Sequence, residues 1–278
     1  MQVILEWLKR HLWAAFLLHQ SLLFLLAISF LSSIRRITGR TIHLGRDPIG
    51  FIDGAALIVL SLGVIFLTNW FYHLLKGKDA EPLGIGFSPR RLLDLTVGLI
   101  IGAAFVIAPW ISAISRGTAT IADRIDAHFD SFSVVRILAI AFFLLLLQAI
   151  MEETANRAFP LRLWEHRSLI FRLIVPSVFF ALIHLADEQF GFERLAVLLM
   201  AGVIQSLAYL LTGNIWFTSG LHAGANIASF SITGLWHAGA IVSVAGQPAI
   251  PNFVTILIML VLLSLAFVSK QRFIKNEN

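Results

Sequence analysis

Long apolar runs separated by short polar stretches dominate the chain. Eight such runs occur, at about 12–34, 51–75, 92–115, 136–158, 169–186, 195–211, 215–232 and 250–269. Most reach the roughly 20 residues that a helix needs to cross a hydrocarbon core. The fifth, sixth and seventh are shorter and are expected to be tilted, buried or irregular. The first follows Lys9 and Arg10, a charged start like that of a signal peptide. Its apolar run is too long for one and lacks an obvious small-residue cleavage site, so it reads as a retained anchor. The pattern predicts an all-α, polytopic membrane bundle of about eight helices, one integral membrane domain over 1–278.

Composition agrees. Of the 278 residues, 58% are hydrophobic and 13% charged. A typical soluble domain is about 45–50% apolar and about 25% charged, so soluble, secreted, disordered and coiled-coil classes are set aside. The net charge of +5 would suggest nucleic acid in a soluble protein. Here the basic residues belong to loops and helix ends, and no nucleic-acid partner is expected. With the amino terminus inside and eight spans, thirteen Lys and Arg lie on the cytoplasmic side and eight on the other. That bias predicts both termini in the cytoplasm, in the cell membrane, against the four arginines of the first loop. The chain has no cysteine, which removes disulfides, thiolate nucleophiles and cysteine-ligated metals. Gly98 with Gly102, and Gly220 with Gly224, have the small-xxx-small spacing of close helix contacts.

Ionisable groups inside lipid cost roughly 2.5–3.5 kcal/mol each by insertion scales and mark candidate sites. Glu152 and Glu153 stand side by side late in the fourth run, in Gln148-Ala-Ile-Met-Glu152-Glu153-Thr-Ala-Asn-Arg157. Glu153 and Arg157 share a helix face and can pair. Glu152 shares the next face with Asn156 and has no such charge partner, which suits a general base. The fifth run ends Phe180-Ala-Leu-Ile-His184, and the seventh contains His222-Ala-Gly-Ala-Asn226. If the fourth and fifth runs form a hairpin turning at Glu165 to Ser168, Glu152 and His184 both lie ~20–25 Å from the turn, at one depth. Two carboxylates, two histidines, an asparagine and an arginine at one depth suit peptide-bond hydrolysis. The base takes a proton from water, and neutral donors hold the oxyanion. The same atoms resemble a His2Glu zinc set, Glu152, His184 and His222, with one position open for water. The H-E-x-x-H helix of common zinc proteases is absent.

These three motifs, in this order and each in an apolar run, resemble the CPBP intramembrane proteases. This is the CAAX protease and bacteriocin-processing (Abi) family, which includes the Ras-converting CAAX endopeptidase. The resemblance covers about 140–232, read as a catalytic core. It implies Glu152 as base, His184 sharing the water, His222 and Asn226 as oxyanion donors, Glu153 and Arg157 ordering the site, and Phe180 packing beside it. It implies a membrane-bound protein or peptide substrate, CAAX-like or lipidated. The preferred mechanism needs no cofactor, and the alternative uses zinc. Two other classes share these features, a non-catalytic immunity or scaffold protein and a proton or solute transporter.

Elsewhere, His19 and Gln20 are expected to be satisfied within the bundle, and Asp53 and Asp94 to sit favourably near helix N-termini. His166, His237, Asp187 and Glu188 are expected in solvated loops. Trp164, Trp216 and Trp236 are expected at span ends, as in aromatic belts.

Overall fold

The computed structural model describes residues 2–38, 51–124, 130–184, 191–233, 242–246 and 252–277. Asp187, Glu188, Trp236 and His237 lie outside the described residues. Every apolar run is helical over its described residues. The helices are α1 (Gln2–Arg10), α2 (Leu12–Thr38), α3 (Phe51–Lys76), α4 (Pro89–Ser115), α5 (Ser131–Glu153), α6 (Phe159–Leu163), α7 (Leu169–Ile183), α8 (Phe192–Thr212), α9 (Ile215–Thr233) and α10 (Asn252–Glu277). A π-helical turn, Thr154–Ala158, joins α5 to α6. An all-α membrane bundle is what the pattern requires, because helices satisfy their own backbone groups where water is absent.

Five helical segments among the described residues are long and apolar enough to cross a membrane: Leu12–Ile34, Gly54–Lys76, Pro89–Ser115, Ser131–Leu163 and Arg194–Thr212. Leu169–Ile183 and Val254–Lys270 are shorter apolar helices. The expected eight spans are therefore five of full length, two shorter helices and α9, which is built into the centre.

Local sequence sets the helix ends. The Ser88 hydroxyl accepts from Arg91 N at 3.3 Å, with Pro89 in the first turn. Asp130 accepts from Ser133 N at 3.0 Å, and Ser168 from Phe171 N at 3.4 Å. Gly213, at φ 69°, closes α8 in a left-handed conformation. Asn214 Oδ1 then accepts from Trp216 N at 3.0 Å and opens α9. Its amide also donates to Asp94 at 3.0 Å, tying the α8–α9 corner to the second turn of α4. Asp53 falls in the first turn of α3.

Helix ends gather at one end of the bundle. Trp13, at the start of α2, packs at a tilt against Trp164 with ring centroids 4.9 Å apart. Lys76, at the end of α3, donates to Glu165 at 2.8 Å. Lys270 of α10 donates to Leu211 O, near the end of α8. Trp164 departs from the interfacial expectation. It is 1% exposed and packed on Trp13, Phe16 and Phe171, because it follows a short helix folded into the core. Trp216 is half-buried and donates to Gly86 O at 2.8 Å. His166 is exposed, as expected.

Two features were not expected. The short amphipathic α1 buries Leu8. A two-stranded antiparallel ribbon, β1 (Ala119–Arg124) with β2 (Val242–Gly246), joins the segment after α4 to that after α9.

The two glycine pairs face each other. A Cβ on Gly98 would meet the Phe217 carbonyl, and one on Gly102 that of Leu221. A Cβ on Gly220 would meet Leu95 O, and one on Gly224 would meet Leu99 O. Only bare backbones approach this closely. The contact locks α9 against α4 and sets the depth of His222.

Candidate active site

The site forms where the end of α5, the π-helical turn, α7 and α9 meet. His222 stands between the two glutamates. Its Nδ1 lies 2.9 Å from Glu153 Oε1, and its Nε2 lies 3.9 Å from Glu152 Oε2. With the carboxylate ionised, Nδ1–H donates to Glu153, which fixes the ring's orientation. Glu153 and Arg157 are both fully buried, and Arg157 Nε lies 3.8 Å from Glu153 Oε2. The expected ion pair is present, but it is long and carries no hydrogen bond. Arg157 instead donates through Nη1 to Asn156 O at 3.0 Å and lies over the Phe180 ring at 4.1 Å.

Glu152 differs from its neighbour. Its side chain is 12% exposed, and it accepts from Gln148 Nε2 at 2.9 Å. Gln148 is one helical turn before Glu152, so its partnership was legible in the i,i+4 spacing. The expected sharing of a face by Glu152 and Asn156 does not give a contact, because the wide turn begins between them.

His184 closes α7. Its Nδ1 donates to Phe180 O at 2.7 Å, leaving Nε2 as the lone-pair nitrogen. Phe180 lies between the histidines, edge-on to both, with centroids 4.7 Å from His184 and 6.2 Å from His222. Phe180 therefore does more than fill space, since it braces Arg157 and both imidazoles. Asn226, one turn beyond His222 on α9, is half-buried, and its amide makes no hydrogen bond among the described residues.

The site thus brings together Glu152, Glu153, Arg157, Phe180, His184 and His222, with Asn226 on the same helix face as His222. Glu152, His184 and His222, the set considered for zinc, do not close into a metal-holding group. No cluster of three such side chains does so among the described residues.

Residues 134–228 match the model of a protein family described as type II CAAX prenyl endopeptidase Rce1-like. The match covers about a third of the chain and is a likeness to that family. It contains every residue of the site, from Gln148 to Asn226. No curated protein and no solved structure matches the chain. The matched segment is set among helices long and apolar enough to cross a membrane, as in an integral membrane protein.

Proposed function

We propose that the protein is an intramembrane endopeptidase that hydrolyses a peptide bond in a membrane-associated, CAAX-like or lipidated substrate. The observation that carries this reading is the ordered array Glu153–His222–Glu152, with one carboxylate locked and the other open. Gln148 holds Glu152 Oε1 and leaves Oε2 for a water. Glu152 takes a proton from that water, and His184 Nε2 accepts its second hydrogen bond. The water oxygen bonds to the scissile carbonyl carbon.

Glu152 Oε2 and His222 Nε2 are too far apart to hydrogen-bond, at 3.9 Å. They are close enough for a water on one to attack a carbonyl whose oxygen rests on the other. Glu153 beneath Nδ1 lets His222 carry a proton on Nε2. In that form it donates to the oxyanion together with the Asn226 amide. The carbon–nitrogen bond then breaks, and Glu152 passes its proton to the leaving amine. Both termini are placed in the cytoplasm in this reading, following the excess of basic residues there.

The test uses membrane-tethered peptides, lipidated and bare, with purified protein in liposomes. Wild type should cleave, and Glu152→Gln should lose about 10²–10⁴ of the rate. A chelator should leave the wild-type rate unchanged. Cleavage by Glu152→Gln at the wild-type rate would overturn the proposal, and loss of cleavage in chelator would overturn its metal-free form.

A further inference from the structure

The π-helical turn beside the site has a donor deficit that its own helix cannot meet. Pro160 follows it and has no N–H. The Phe159 N–H reaches back to Thr154 O, the wide i→i+5 bond of a π turn. In an α-helix that N–H would serve Ala155 O. The next donor along would be Pro160, which has none. Ala155 O is therefore left without a partner in its own helix, at a depth where water is not at hand.

The donor comes from α2. Gln20 Nε2 lies 3.4 Å from Ala155 O and 3.4 Å from His19 Nδ1. Its two amide hydrogens can serve both. His19 is 2% exposed, with Nε2 at 3.0 Å from Thr68 Oγ1 of α3. With Nδ1 accepting from Gln20, Nε2–H donates to Thr68, and the tautomer is set. The His19 ring also lies on Phe159, centroids 4.1 Å apart. One pair of α2 residues thus holds the turn at Ala155 and just past its end at Phe159. Glu153 stands at the head of that turn and Arg157 lies within it.

We propose that Gln20 and His19 are positioning residues that hold the 154–158 turn in the wide form that presents Glu153 and Arg157 to the site. This rests on the hydrolase reading for its consequence, but not for its geometry. Returning the turn to α geometry rotates its two sides relative to each other by on the order of 100° per residue of register. Glu153 would then lose Arg157 or His222. The proposal gives α2 and α3, which lie outside the matched segment, a task in the site.

The experiment is amide hydrogen exchange of the full-length protein in detergent, with peptide cleavage in parallel. Gln20→Leu should speed exchange in the 153–160 peptide roughly fivefold, the loss of about one hydrogen bond. Exchange in α8 should not change. On a cleaved peptide, kcat should fall roughly tenfold or more with KM unchanged. In a Pro160→Ala background the helix has its own donor, and Gln20→Leu should change exchange less than about twofold. Unchanged exchange in Gln20→Leu, loosening that spreads to α8, or an equal effect in the Pro160→Ala background would each overturn the proposal. If wild type cleaves no peptide, the hydrolase reading fails, and the exchange result still decides the role of Gln20.

Discussion

The two faces of α9 are held in opposite ways. Toward α4, Gly220 and Gly224 press backbone against backbone. Toward α5, His222 meets two carboxylates. Lipid gives helices no hydrophobic reason to associate, so both faces depend on fit. The glycine face fits by shape and fixes how deep α9 sits. The histidine face fits by hydrogen bonding and fixes what α9 presents. The first tolerates no added atom, and the second no missing charge. A site made only of polar contacts would have to assemble its geometry at each turnover, whereas the α4–α9 seam sets it in advance.

The largest effect should come from emptying the polar face. Glu153→Ala leaves Arg157 buried without its carboxylate, which should cost about 3–5 kcal/mol. Thermal unfolding in detergent measures it, and an unchanged midpoint would show that Arg157 is satisfied by Asn156 O and Phe180 alone. Next comes the seam. Gly224→Leu forces a side chain into the Leu99 backbone and should cost roughly 1–3 kcal/mol or more. A wild-type midpoint would mean that α4 and α9 can part without penalty. Smaller again, Gln148→Leu should lower kcat about tenfold at constant stability, since it frees Glu152 Oε1 without touching Oε2. Equal loss of stability and rate would make Gln148 a packing residue.

The smallest effect lies outside both faces. Lys76 beside Glu165 holds that carboxylate below its usual range. The pair's contribution is present above the ordinary glutamate pKa and is lost as pH falls through the lowered one. It should amount to no more than about 1 kcal/mol, because both partners are partly exposed. The difference between wild type and Glu165→Gln, followed by melting against pH, should shrink in acid.

Much of this was legible in the chain. Eight apolar runs became helices because helix formation in lipid is dictated by length and composition. The glycine pairs met because their spacing admits only a close approach. Glu153 and Arg157 paired because their spacing is local. Gln148 carried the same i,i+4 signal toward Glu152. Pro160 also carried a signal, since a proline within a helical run withholds a donor from the residues before it. The sequence gives no sign of which distant side chain makes up that loss, and Gln20 lies 135 residues away from Ala155. The contact between His222 and Glu153 was hidden for the same reason, because it depends on how α9 is rotated against α5. Trp164 looked interfacial by position, and only the fold of α6 and α7 buries it. The β1–β2 ribbon lacks the clean alternation that marks a strand.

The central claim is that adjacent glutamates divide the labour, Glu153 building the site and Glu152 working in it. Glu152→Gln and Glu153→Gln, measured side by side for thermal midpoint and for cleavage of a membrane-tethered peptide, test it directly. The account predicts that Glu152→Gln melts with wild type and does not cleave, while Glu153→Gln both melts lower and does not cleave. Cleavage by Glu152→Gln at the wild-type rate, or equal losses of stability in the two variants, would contradict it.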